Sequence, residues 1–163
     1  MSIVSESKPV HCLCRRQARI AGLKRCAAVL VGLLLGVSAA AAEFRIERDD
    51  GGQIGSYLQK FAQVRDSGER VVIDGPCYSA CTLALAVVPR SRICVTPNAV
   101  LGFHAAWTKD RYGHTLTSEG GTSLLMASYP PHIKRWIARR GGLNGTTITL
   151  RGRELAALYP RCR

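Results

Sequence analysis

Between residues 70 and 104 the chain reads Arg70-Val-Val-Ile-Asp-Gly75-Pro-Cys-Tyr-Ser79-Ala-Cys-Thr. An apolar run, Leu83 to Val88, then precedes Arg92 to Thr96 and Ala99 to Phe103. Val71-Val72-Ile73 is β-branched and stops at Asp74-Gly75-Pro76, the pattern of a strand entering a turn. Ser79 to Val88 reads as an apolar helix ended by Pro89, and two short strands follow, parted by Pro97-Asn98. Strands alternating with helices require crossovers and a largely parallel sheet. Ser79 then sits at a strand-to-helix turn. A sharp turn there exposes a nucleophile, and the N–H groups that follow face a developing oxyanion. His104, at the end of the second following strand, is in the right order to supply a base.

The remaining pattern completes one α/β domain. Phe44 to Arg48 alternates as a strand and ends at Asp49-Asp-Gly-Gly52. Ile54, Leu58, Phe61 and Val64 share a helical face that Asp66-Ser-Gly68 stops. Thr108 to Gly121 is polar and reads as a loop or small hairpin. Leu124 to Ser128 and Ile133 to Arg140 read as helices separated at Pro130-Pro131 and stopped by Gly141-Gly142. Glu154 to Leu158 is a last short helix. The expected fold is a minimal single domain with a largely parallel sheet and crossover helices.

Residues 1 to 42 read as something other than fold. Arg15, Arg16, Arg19, Lys24 and Arg25 precede an apolar stretch, Ala27 to Gly36, and a small-residue block, Ser38 to Ala42. This is the layout of a secretory signal peptide cleaved after Ala42, which would place the domain, 43 to 163, outside the cytoplasm, in a periplasm-type compartment. An uncleaved membrane anchor is the alternative, but the apolar run is short for a bilayer.

The chain has 23 basic and 11 acidic residues, of which the first 42 hold six and one, leaving 17 and 10. Arg135, Arg139, Arg140, Arg151, Arg153, Arg161 and Arg163 crowd the C-terminal third. They read as a solvated basic face ahead of an anionic partner. Aromatics are few and no reader motif is present, so nucleic-acid binding is not expected. Cys12, Cys14 and Cys26 fall in the export segment. Cys77, Cys81, Cys94 and Cys162 remain, an even number that favours two disulfides in an oxidising compartment, with three pairings open. Cys77-x-x-x-Cys81 is a poor zinc signature, so neither metal nor cofactor is expected.

In order and spacing these pieces resemble the Clp protease proteolytic-subunit family, within the wider ClpP/crotonase-like fold. The resemblance runs from about Ile46 to the C-terminus. It rests on Gly51-Gly52 before a helix, Gly75 four residues ahead of Ser79, Arg92-Ile-Cys-Val-Thr-Pro97-Asn98-Ala99 leading to His104, and Glu154-Leu-Ala-Ala-Leu-Tyr159. It implies Ser79 as nucleophile, His104 as base, and an oxyanion hole at Gly51-Gly52 and Ala80.

The family's third catalytic residue is an aspartate, where this chain reads Gly142-Leu-Asn144-Gly-Thr-Thr147. Asn144 is the expected orienter of His104, with Asp110 and Glu119 as other candidates. The family's Ser-Pro before the paired glycines is replaced by Asp49-Asp50. The resemblance implies that a domain starting at residue 43 lacks the N-terminal unit that meets the family's ATPase, and an exported chain would meet no such partner. The resemblance also places the terminal segment beside the Cys94 strand, implying Cys94 with Cys162 and Cys77 with Cys81.

The expected activity is ATP-independent hydrolysis of peptides or unfolded polypeptides. The alternative is an inactive envelope protein that keeps the fold for binding or assembly, with Ser79 serving only as a helix cap. Self-association through Leu124, Leu125, Ile133, Trp136 and Ile137 is expected by the same resemblance. Trp107, Trp136 and Tyr129 read as core or interface aromatics, and His114 and His132 as surface residues.

Overall fold

Strands of three or four residues bury too little to stand alone, so the chain assembles them in passes. The computed structural model describes residues 42–163; the segment expected to be a signal peptide, with Cys12, Cys14 and Cys26, lies outside these residues. The order is β1 (Glu43–Ile46), α1 (Ile54–Asp66), β2 (Arg70–Ile73), β3 (Pro76–Tyr78), a 3-10 turn (Ser79–Leu83) and α2 (Ala84–Val87). Then come β4 (Ile93–Val95), β5 (Val100–Phe103), β6 (Trp107–Lys109), β7 (Thr115–Thr117), α3 (Glu119–Ser128), α4 (Pro131–Arg139), β8 (Ile148–Arg151) and α5 (Gly152–Leu158).

β1, β2 and β4 form a parallel sheet in the order β1-β2-β4. β3, β5 and β8 form a second sheet in that order, with β3 parallel and β8 antiparallel to β5. Three passes of chain run through the first sheet and then bend into the second. After β1, Asp49 bridges Cys77 in parallel; after β2 the chain turns into β3; after β4 it turns into β5. A Cβ at Gly75 would sit 1.8 Å from the Glu47 carbonyl oxygen, so only glycine fits where the first two passes touch. The neighbouring Asp74 carboxylate accepts from Thr96 Oγ1 at 2.6 Å and from Asn98 at 3.4 Å, and pairs with Arg45 at 2.6 Å. It ties all three passes at one level.

The core fills the space around these bends. Phe61, Ile73, Leu101, Phe103, Trp136 and Ile137 are fully buried or nearly so. Phe103, the last residue of β5, packs edge-on against Tyr129 and tilted against Trp136, at ring separations of 5.5 and 5.6 Å. Aromatic packing thus fixes the strand end that precedes His104.

The architecture is mixed α/β, and it departs from expectation in four ways. The sheet is not one largely parallel layer but two small sheets and a separate β6–β7 hairpin. Ile148 to Arg151, unassigned from sequence, is the antiparallel strand β8; four residues with only Leu150 fully buried carry too weak an alternation to read. The apolar helix from Ser79 splits into a 3-10 turn and one turn of α-helix. The cause lies at its start, where a bridge between Cys77 and Cys81 closes the turn and the Thr82 hydroxyl bonds the Ser79 carbonyl. Finally, Leu125, Ile133, Trp136 and Ile137 are buried within the chain's own core, leaving Leu124 exposed. No helix among the described residues is long and apolar enough to cross a membrane.

Cys77 pairs with Cys81 and Cys94 with Cys162, at Cα separations of 5.3 and 5.0 Å. Such pairs are the mark of an oxidising, extracellular-type compartment. The second bridge fastens the C-terminus to β4, alongside a backbone bond from Cys162 N–H to Val95 O at 3.1 Å. Its sequence separation is 68 residues, a loop for which chain entropy gives about 4 kcal/mol. Replacing both Cys94 and Cys162 by alanine should lower unfolding free energy by up to that amount in urea titrations, and non-reducing peptide mapping should return these two pairs.

Candidate active site

Ser79 is the only non-glycine among the described residues with a positive φ, 54°. A left-handed serine costs about 1–2 kcal/mol, so its surroundings must hold it there. Three contacts do so. The Cys77–Cys81 bridge spans the turn, Thr82 Oγ1 donates to the Ser79 carbonyl at 2.6 Å, and Gly51 packs against the other side. A Cβ on Gly51 would lie 2.6 Å from Ser79 Cβ and 2.9 Å from Ala80 N, and its own φ of +85° also requires glycine. Ser79 Oγ makes no hydrogen bond among the described residues, and Tyr78 stands at the cap position of the 3-10 turn. The hydroxyl does not cap. Ser79 lines a cleft of about 500 Å³ together with Gly52, Ala80, Ala106, Trp107 and Leu125.

The second sheet brings His104 to the same end. β3 and β5 are parallel neighbours with Tyr78 opposite Gly102, so Ser79 and His104 follow the ends of adjacent strands, with His104 one residue beyond the level of Ser79. His104 Nδ1 lies 2.7 Å from the Ala105 carbonyl oxygen. A carbonyl can only accept, so Nδ1 carries the proton and Nε2 is left as the basic nitrogen. No hydrogen bond joins Ser79 to His104 among the described residues.

The expected orienters fall elsewhere. Asn144 Oδ1 accepts from Thr146 N–H at 2.8 Å, and Asn144 meets the histidine segment through its backbone carbonyl, which accepts from Ala105 N–H at 2.7 Å. Its side chain is spent on its own turn. Asp110 is at the hairpin tip, paired with His114 at 2.9 Å. Glu119 shares a different cavity with Ala105 and Asn144, and makes no hydrogen bond to His104. The group that orients the imidazole is the Ala105 carbonyl, which no side-chain pattern could reveal. Trp107, expected in a core or interface, is 57 % exposed at the cleft wall. His132 is half-buried against Tyr159 at 3.1 Å.

Asp49, outside the residues expected at the site, organises the glycine loop. Its backbone pairs with β3 on both sides, accepting from Tyr78 N–H and donating to Pro76 O, each at 2.8 Å. Its carboxylate accepts from Gly51 N–H at 2.9 Å, from the Tyr57 hydroxyl, and from Lys60 at 3.0 Å. Gly51 N–H is therefore occupied, while Gly52 and Ala80 line the cleft. Burial pushes the Asp49 carboxyl up, but the bonds from Tyr57, Gly51 and Lys60 outweigh it and hold it below the ordinary value. Burial and the neighbouring Asp49 push Tyr57 up to about 12. The readable signal was Asp49 before paired glycines, with Tyr57 and Lys60 one helical step apart on α1.

Among the described residues no cluster of His, Cys, Asp or Glu has the makings of a metal centre. No protein-family model matches this chain, and no curated protein matches it.

Asp49→Ala should cost about 2–3 kcal/mol at neutral pH, the scale of hydrogen bonds to a charged group. Because the folded carboxyl is depressed, its contribution is complete above about pH 4 and is lost as pH falls through the lower folded value. Denaturation of wild type and variant should therefore converge in acid.

Proposed function

We propose that this chain is a serine hydrolase of peptides or unfolded polypeptides, acting without an ATPase in an oxidising compartment. The observation that carries the reading is Ser79: a strained serine with an unbonded hydroxyl, open to a cleft, at the strand end beside His104. Strain of this kind persists where geometry serves chemistry. In the proposed reaction Ser79 Oγ bonds to the substrate carbonyl carbon while His104 Nε2 takes the hydroxyl proton. Gly52 and Ala80 N–H groups bind the oxyanion. The C–N bond then breaks, the proton passes from His104 to the leaving amine, and water releases the acyl group by the same route reversed.

The passage of each chain segment through two sheets in turn, with glycines at Gly51, Gly52 and Gly75, supports a Clp-like, crotonase-type frame. The Ala105 carbonyl takes the orienting place of the missing aspartate. A backbone carbonyl orients but carries no full negative charge, so the imidazolium is less stabilised and the enzyme slower than a full triad. The second reading, a binding module without catalysis, draws on that lack and on the absence of a Ser79–His104 bond.

A fluorophosphonate probe separates the two. Ser79 Oγ displaces fluoride from phosphorus, so intact-mass analysis should show one adduct on wild type and none on Ser79→Ala or His104→Ala. Equal labelling of all three, or none of wild type, would favour the binding module.

A further inference from the structure

Thr82 is the only serine, threonine, amide or charged residue among the described residues to be buried. Its Oγ1 lies 2.6 Å from the Ser79 carbonyl oxygen and 2.6 Å from the Tyr129 hydroxyl. A threonine hydroxyl has one proton to give, and a carbonyl can only accept. The proton of Thr82 therefore goes to Ser79, and Tyr129 must donate to Thr82. The direction is forced: phenol to threonine to carbonyl. Tyr129 is 3 % exposed, and burial pushes its pKa up to about 12, which keeps the phenol protonated and able to donate.

The Ser79 carbonyl shares a rigid plane with Ala80 N–H, and in a trans peptide the two point in opposite directions. Anchoring the oxygen on Thr82, in the core, turns the Ala80 N–H away from the core, toward the cleft that Ser79 and Ala80 both line. We infer that Tyr129 and Thr82 are positioning residues: a two-hydroxyl relay that fixes the Ser79–Ala80 peptide plane and so aims the Ala80 N–H at the developing oxyanion. Hydrogen bonds in series polarise one another, so the relay also strengthens Ala80 as a donor. Tyr129 packs on Phe103, the residue before His104, so one aromatic contact joins the donor's support to the base's strand. The catalytic consequence rests on the hydrolase reading, whereas the orientation of the plane does not.

The test compares the second-order rate of fluorophosphonate labelling at Ser79 in the full chain and four variants, with circular dichroism confirming the fold. Tyr129→Phe and Thr82→Val should each slow labelling by about tenfold to a hundredfold, less than loss of a whole oxyanion donor. Thr82→Ser, which keeps the hydroxyl, should stay within about threefold of wild type. The double variant should be no slower than Thr82→Val, because links in series fail once. Wild-type rates in Tyr129→Phe and Thr82→Val, or a Thr82→Ser as slow as Thr82→Val, would overturn the relay. If wild type takes no label, the hydrolase reading falls and amide hydrogen exchange decides the relay alone. Exchange across residues 79–83 should then quicken about tenfold in Tyr129→Phe, and unchanged exchange would overturn it.

Discussion

Where Gly75 passes the carbonyl of Glu47, two stretches of backbone touch with no room for a side chain. The second sheet depends on that contact. It lets the second pass bend beside the first, so that Asp49 pairs with β3 and the glycine loop lands against Ser79. A side chain at position 75 would push the passes apart and remove the register on which the cleft is built. Asp74 reinforces the same level from the other side by holding Thr96, Asn98 and Arg45. The site thus hangs on a corner rather than on the long helices.

Strain at Ser79 is affordable because it is held by elements of different chemistry. The Cys77–Cys81 bridge limits the turn covalently, the hydroxyls of Thr82 and Tyr129 hold it by hydrogen bonds, and Gly51 blocks relaxation sterically. None of these is a regular helix or strand, and together they explain why an apolar run with helical composition begins as a 3-10 turn. Asp49 plays the matching part opposite, spending its carboxylate on Gly51 N–H. Two short loops are thereby set against each other by polar contacts within an otherwise apolar core.

Much of this was legible in the residues. The β-branched run at 71–73 gave β2, the helical spacing of Ile54, Leu58, Phe61 and Val64 gave α1, and the Gly-Pro and Pro-Asn pairs marked the corners. The pairings of Cys94 with Cys162 and Cys77 with Cys81 match what the family resemblance implied. Less legible were β3 and β8, three and four residues long, because so short a strand is defined by its neighbour and not by its own pattern. The apolar residues of α4 were readable as apolar, but whether they meet another chain or their own core depends on what α3 and β5 leave uncovered.

The sequence by itself determined the local chemistry: a serine at a strand-to-helix junction, a histidine two strands on, paired glycines and an even set of cysteines. Those follow from residue type and spacing, which act over a few residues. Only the tertiary structure decided the left-handed serine, the carbonyl that orients His104, the carboxylate that holds Gly51 and the hydroxyl relay from Tyr129 through Thr82. Each is a contact between groups distant in the chain or made by the backbone, and backbone carbonyls and N–H groups are identical at every position. Their direction is set by the fold that carries them.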